Sequence, residues 1–72
     1  MTAVKEFVLI YDVPREPTKI ETKVWRDLQK YGAKKLQHSV WKHNDLSKLI
    51  ELATFIKKSG GSATILEEKL IF

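Results

Sequence analysis

Asp12 is the residue of this chain whose type and position are best suited to chemistry. It ends the apolar run FVLIY and precedes the segment VPREPT. A carboxylate is a hard oxygen ligand suited to Mg²⁺ or Mn²⁺, and the end of a strand would hold it rigidly within reach of solvent. One carboxylate is too few for a tight site, so a dimer would have to bring two together. Alternatively, Asp12 shapes an Asx-type turn into Pro14, which the spacing alone favours.

Basic residues are concentrated between residues 15 and 42, where eight of them against three acidic residues give +5 in a chain of net charge +4. A basic segment is typical of proteins that bind phosphates, although lysines also keep proteins soluble. In a helix, four of these side chains fall on one side, which must face solvent or a partner. The candidate nucleic-acid-binding residues are Arg15, Lys19, Lys23, Arg26, Lys30, Lys34 and Lys35.

Two histidines and a serine could add acid–base or nucleophilic chemistry. His38 and His43 are five residues apart in a strand-like segment. They therefore point to opposite faces, and we reject a zinc site. Ser39 has no visible base, and a hydrogen-bonded sheet residue explains His38 better than a proton shuttle does. Tyr11, His38 and Ser39 are kept as candidates for a supporting role beside Asp12.

The first half of the chain must place these residues on one strand and one helix. Residues 4 to 13 are typical of a central strand, with Phe7, Leu9 and Tyr11 on one face and Val8, Ile10 and Asp12 on the other. A capping box made by Thr18 and Glu21, and Gly32 as C-cap, predict a helix over residues 18–31. Its apolar face comprises Ile20, Val24, Trp25, Leu28 and Tyr31. We interpret Trp25 first as a core or interface aromatic residue, and only second as a platform on which a base could stack.

The second half predicts more strand, a helix and a final strand. Residues 33–43 have strand composition, with a bend or tight turn around residues 37–39, and Leu36, Val40 and Trp41 are expected to be buried. Asn44 or Asp45 caps a helix through about residue 58. Its apolar stripe is Leu46, Leu49, Ile50, Ala53 and Ile56, and Leu52 and Phe55 lie off it as candidates for a subunit contact. Residues 62–66 form the last strand.

This order of elements predicts an α+β, ferredoxin-like two-layer sandwich in a single domain over residues 1–72. Both helices would cover one face of about four antiparallel strands. The other face would carry either Trp41 or Val40, depending on register, and a second subunit could cover it. An apolar C-terminus would also pair with a neighbouring chain. The expected homodimer interface comprises Trp41, Leu70, Ile71 and Phe72.

The cellular location is inferred from two absences in the sequence. The chain has no cysteine, which excludes disulfides, thiolate metal sites and cysteine nucleophiles and fits an intracellular protein. The apolar run near the N-terminus is too short for a signal peptide or a membrane span. We therefore expect a soluble, cytoplasmic protein that does not bind a membrane.

Several of these motifs together resemble a known family. A strand that ends in Tyr11 and Asp12, a basic helix, and the pattern G-A-x-x-L-Q-x-S-V-W from Gly32 to Trp41 are similar to the CRISPR-associated protein two family, the small non-integrase subunit of spacer acquisition. The resemblance implies a ferredoxin-like homodimer that binds RNA or DNA, with the CRISPR integrase subunit as a further partner. It also implies a metal-dependent endonuclease that uses Mg²⁺ or Mn²⁺, with Asp12 as the catalytic and metal-binding residue.

Other motifs favour related proteins without an established nuclease role. The stretch V-P-R-E-P-T from Val13 to Thr18, together with V-W-R and L-Q-x-S-V-W, is also similar to domains of chromate-resistance regulators and phenylacetate-type repressors, which share this fold. Two hypotheses therefore stay open. Either paired Asp12 carboxylates hold a metal ion in a nuclease, or Asp12 is structural in a non-catalytic dimeric module that binds nucleic acid or protein.

Overall fold

A computed structural model describes residues 5–14 and 18–68 as two helices packed on one sheet. In chain order the elements are β1 (Phe7–Asp12), α1 (Thr18–Tyr31), β2 (Lys34–Gln37), β3 (Val40–His43), α2 (Leu46–Lys58) and β4 (Ser62–Glu67). The four strands form an antiparallel sheet in the order β2-β3-β1-β4. The predicted α+β, ferredoxin-like sandwich is confirmed.

Both helices begin and end where local sequence signals placed them. After α1, Gly32 adopts a φ of 80°, a left-handed conformation that glycine accepts without steric cost, and its N–H donates to the carbonyl of Gln29. Asp45 is the N-cap of α2, since its carboxylate accepts from the N–H of Lys48 at 3.2 Å. Neither helix in the described part is long and apolar enough to cross a bilayer.

The segment between the helices is a hairpin, as the predicted turn required. His38 and Ser39 form the turn, and the register shifts between Lys35 and Gln37 as at a β-bulge. Trp41 pairs with Leu9, and Val40 pairs with Ile10, so the register that the sequence left open is fixed. Trp41 consequently lies on the face beneath the helices.

The core lies between the helices and this covered face of the sheet. It comprises Leu9, Tyr11, Val24, Leu28, Trp41, Leu49, Leu52, Ala53 and Ile56. Leu52 is 2% exposed and Phe55 packs against the core, so the prediction that these two residues form spare apolar surface is wrong for Leu52. The predicted burial of Leu36 is also wrong, because it is 40% exposed, and two residues of the predicted stripe of α2, Leu46 and Ile50, are 38% and 49% exposed. In a 13-residue helix on a narrow sheet, the buried stripe is rotated from Ile50 towards Leu52.

The other face of the sheet is covered by none of the helices or strands in the described residues. Strand pairing and side-chain alternation assign to it Val8, Ile10, Asp12, Val40, Lys42, Ser62, Thr64 and Leu66. Ile10 and Leu66 are 40% and 51% exposed. We call this surface the uncovered face.

Candidate metal and nucleic-acid site

Asp12 lies at the C-terminal end of β1, a central strand with a neighbour on each side. Asp12 is exposed to solvent, and it pairs with Ser62 of β4 in the sheet. Gly61 packs directly on the backbone at this point, because a Cβ there would collide with the carbonyl oxygen of Asp12 and approach Ile56 Cγ2 to 2.9 Å. The sheet and this close approach hold the Asp12 backbone in a fixed position.

Asp12 borders a small cavity together with all three residues that the sequence suggested as its supports. The cavity has a volume of about 190 Å³ and is lined by Tyr11, Asp12, Val13, Glu21, His38 and Ser39. The β2–β3 turn contributes the last two, and the N–H of Tyr11 donates to the carbonyl of Ser39 at 3.1 Å. The hairpin therefore brings His38 and Ser39 to the end of β1, where Asp12 lies.

Glu21 is the charged member of this cavity that the sequence did not assign to the site. The sequence predicted only a capping-box role for it, although its position one turn into a helix that follows β1 could have suggested proximity to Asp12. Glu21 Oε1 lies 3.6 Å from Nε2 of His38; the His38 side chain is 81% exposed and that of Glu21 is 43% exposed. An exposed pair of this kind adds little stability but places a carboxylate and an imidazole side by side.

Tyr11 forms the buried side of the cavity. Burial is the main factor that raises the pKa of Tyr11, and the nearby Glu21 carboxylate raises it further, whereas the indole N–H of Trp41 lowers it. That N–H approaches the phenol but makes no hydrogen bond of good geometry with any described residue. The Tyr11 hydroxyl is therefore a neutral donor and acceptor at physiological pH.

A single chain does not offer a complete metal site within the described residues. No group of three or more His, Asp or Glu side chains in that part of the chain is arranged to hold an ion. Asp12 is one carboxylate, and Glu21 is engaged with His38. A magnesium ion at Asp12 would need waters, substrate oxygens or a second chain for its other positions.

The predicted nucleic-acid-binding residues are divided between several surfaces. Lys19, Arg26 and Lys30 lie exposed on the solvent side of α1. Lys23 is engaged within the chain, because its Nζ lies 2.6 Å from Asp27 Oδ2 and 4.8 Å from the ring centroid of Phe55.

The two lysines of β2 belong to opposite faces of the sheet. Lys34 pairs with Lys42 on the uncovered face, and Lys35 pairs with Trp41 on the covered one. Arg15 lies outside the described residues.

The expected dimer interface is changed by the register. Trp41 is 2% exposed in the core of its own chain, so it is not available to a partner, and the uncovered face carries Val40 instead. Leu70, Ile71 and Phe72 lie outside the described residues. Among the described residues, the uncovered face exposes Ile10 and Leu66.

Trp25 was predicted to be a core or interface residue, but it lies at the margin of the core. It is 43% exposed and lines a groove of about 340 Å³ between α1 and β2. The helical angle could have indicated this, since at 100° per residue Trp25 lies about 80° from the midpoint between the fully buried Val24 and Leu28.

Comparison with known proteins adds no relative to this description. No family model matches the chain, and no curated protein matches it significantly.

Proposed function

We propose that this protein is a homodimeric nucleic-acid-binding protein of the CRISPR-associated protein two type, which cleaves phosphodiester bonds with a divalent metal and serves as an adaptor in spacer acquisition. The observation that supports this proposal best is the cavity at the end of β1. It places Asp12 and its neighbour Tyr11 beside His38 and Ser39, which the whole of α1 separates from them in the sequence.

The uncovered face supports the proposed dimer. Val8, Ile10, Val40 and Leu66 form a patch of neighbouring apolar residues on three adjacent strands. A chain of 72 residues buries a small core and gains much from covering such a patch. Because Asp12 belongs to the same face, two chains that pack through it would share two Asp12 carboxylates along one interface.

The chemistry divides between the metal and the chain. A bound Mg²⁺ or Mn²⁺ would polarise the phosphodiester and lower the pKa of a bound water. Asp12 would hold the ion, and a protonated His38, exposed at the rim, would donate a proton to the departing oxygen. Lys19, Arg26 and Lys30 would hold the nucleic-acid backbone on the solvent side of α1.

Nuclease assays with Asp12→Asn test the proposal. Labelled single- and double-stranded RNA and DNA are incubated with Mg²⁺ or Mn²⁺, and with EDTA. We expect at least one substrate to be cleaved by the wild type with metal and the rate to fall at least about a hundredfold in the variant, as for loss of a metal ligand. Glu51→Gln, at an exposed carboxylate of α2, is the matched control and should cleave normally. Equal rates in wild type and Asp12→Asn would refute the catalytic role.

A second candidate function is a non-catalytic dimeric module that binds nucleic acid or protein, as in the related regulators. It is favoured by the separation of charges, because Lys19 and Arg26 lie exposed on α1 whereas Asp12 belongs to the uncovered face. This candidate predicts nucleic-acid binding that weakens with rising salt, no cleavage with any metal, and equal affinity in wild type and Asp12→Asn. Binding that does not depend on salt would argue against phosphate contact in either candidate.

A further inference from the structure

The groove between α1 and β2 has a composition that neither the core nor the Asp12 cavity explains. Thr18 and Thr22 line it from α1, Lys35 lines it from β2, and Trp25 forms an aromatic wall. Its volume of about 340 Å³ is at the lower end of the range of ligand sites. It shares Tyr11, Glu21 and His38 with the Asp12 cavity, so the two are adjacent.

Trp25 is not required by the packing beneath it. Val24 and Leu28, on the same helix, are fully buried and fill the space over the sheet, whereas Trp25 remains 43% exposed. The ammonium of Lys35 lies over its ring, 5.5 Å from the centroid. The ring face that borders the groove therefore already attracts a cation, and a flat base could take the place of the ammonium.

The margins of the groove are basic. Lys35 lies on the β2 side, and Arg26 lies one helical turn after Thr22 on the α1 side, with Lys19 one turn before it. None of these three makes an ion pair with a residue in the described ranges. An aromatic face bordered by unneutralised cations is the combination that binds single-stranded nucleic acid, where bases stack and phosphates meet positive charge.

We propose that this groove binds an unpaired base of single-stranded nucleic acid, which stacks on Trp25 in the place now taken by the Lys35 ammonium. Lys35 then moves a short distance to the phosphate of the same nucleotide. This inference rests on the nucleic-acid binding proposed above and adds that the bound nucleic acid is single-stranded. A base within a duplex has both faces stacked on its neighbours and cannot meet Trp25 in this way.

Glu21 gives the bound nucleotide a direction. Its carboxylate lines the groove and repels phosphate, so the phosphate stays at the basic margin while the base enters. The carboxylate and the hydroxyl of Thr22 can accept hydrogen bonds from amino groups on a base edge. The neighbouring Asp12 cavity would then lie beside the next nucleotide of the strand.

The test uses the two tryptophans of the chain, of which Trp41 is 2% exposed and Trp25 is 43% exposed. Three 12-nucleotide probes are compared: a single strand, its duplex, and an abasic strand with the same number of phosphates. We expect the single strand to quench tryptophan fluorescence in the wild type and the abasic strand to leave it unchanged. Base stacking is also expected to make the single strand bind more tightly than the abasic strand.

Substitutions then separate stacking from charge. Fluorescence anisotropy of labelled probes should show that Trp25→Leu weakens single-strand binding by roughly 5- to 150-fold, the usual range for loss of one stacked base. Trp25→Phe should retain most of the affinity, and abasic-strand binding should be the same in all three proteins. Ile50→Ala, at an exposed apolar residue of α2, is the control for loss of apolar surface, and thermal melting checks the fold of each variant.

The outcomes distinguish this inference from the proposed function. Unchanged single-strand affinity in a folded Trp25→Leu variant, with nucleic acid still bound, would overturn the stacking site and leave the proposed function intact. Equal quenching by the abasic strand would do the same. Failure of the wild type to bind any of the three probes would overturn both.

Discussion

The two faces of the sheet are built from the same strands and differ in what covers them. Leu9 and Trp41, on the covered face, are at most 2% exposed, whereas Ile10 and Leu66, on the uncovered face, are 40% and 51% exposed. Along one strand, side chains that point to the covered face are therefore buried, and those that point to the uncovered face are partly exposed to solvent. The covered face therefore supplies most of the apolar burial of the chain, and the uncovered face is the surface through which we propose that two chains associate.

The uncovered face is itself divided along the strands. At one end Lys42 Nζ lies 3.6 Å from Glu6 Oε2 and 3.4 Å from Glu68 Oε1, so its charge is balanced within the chain. Asp12 lies at the opposite end of β1 and makes no ion pair with any described residue. The apolar patch lies between them. A second copy that covered the patch would thus meet the ion-paired Lys42 at one end of it and the carboxylate of Asp12 at the other.

The largest expected effect comes from comparing Leu9→Ala with Ile10→Ala. Leu9 is fully buried, so its truncation should lower the free energy of unfolding by about 2–5 kcal/mol through lost burial and a cavity. Truncation of Ile10 should cost the isolated chain less than about 1 kcal/mol, because its side chain is already partly in solvent. Urea denaturation at a concentration at which the chain is monomeric measures both. Equal losses would contradict the assignment of the two faces.

Ile10→Asp tests the uncovered face as a dimer interface. A carboxylate in a buried apolar patch is desolvated without a partner, and the symmetry of a dimer would place a second one in the same interface. We expect the dimer dissociation constant to rise roughly a hundredfold, or about 2.7 kcal/mol. Analytical ultracentrifugation measures it, with Ile50→Asp on the exposed side of α2 as the matched control. A dimer that survives Ile10→Asp but dissociates with the control would show that the chains associate through α2.

Gly61→Ala tests how rigidly the backbone is held at the end of β1, where Asp12 lies. A methyl group there would collide with the Asp12 carbonyl oxygen and crowd Val13 Cα at 3.2 Å, and backbone cannot move aside as a side chain can. We expect a loss of about 1–3 kcal/mol of unfolding free energy, the usual cost of overpacking. Chemical denaturation measures it. Gly32→Ala is the comparison, because a Cβ there meets nothing within 4 Å and only the φ of 80° is strained. A smaller loss of unfolding free energy for Gly61→Ala than for Gly32→Ala would show that the backbone at the end of β1 moves to accommodate the methyl group.

The sequence predicted the elements well because their signals are local. The caps at Gly32 and Asp45 depend on neighbours within one turn, and α1 has the predicted bounds. The register at Trp41 could not be predicted, since a shift of one residue exchanges the faces and no glycine or proline marks the hairpin turn. The observed register buries the larger side chain, Trp41, beneath the helices and leaves Val40 on the uncovered face.

The site was predicted in part for the same reason. Asp12 is marked by its place at the end of an apolar run, and the sequence suggests Tyr11, His38 and Ser39 as its supports, which the structure brings beside it. Glu21 and the groove at Trp25 were missed, because they depend on how α1 lies across the hairpin. That arrangement is set by packing between elements, which local patterns do not encode.

The smallest expected effect concerns Tyr11, which lies between the covered face and the Asp12 cavity. Burial raises the pKa of Tyr11 above its usual value of 10.0. Above pH 10 the unfolded chain therefore loses the Tyr11 proton while the folded chain keeps it. Stability is constant with respect to this group below pH 10 and falls as the pH rises towards the folded pKa. Tyr11→Phe should flatten this decline, as measured by urea denaturation between pH 8 and 11.5.

Tyr31→Phe separates the contribution of position from that of phenol chemistry. The pKa of Tyr31 is also raised, first by burial and then by the carboxylates of Asp27 and Glu51, but Lys23 opposes them. Tyr31 lies at the margin of the core, packed against it but not buried within it. Its substitution should therefore flatten the alkaline decline less than Tyr11→Phe does. A larger change from Tyr31→Phe would mean that the Tyr11 phenol reaches water through the Asp12 cavity, so that the covered face is open at that end.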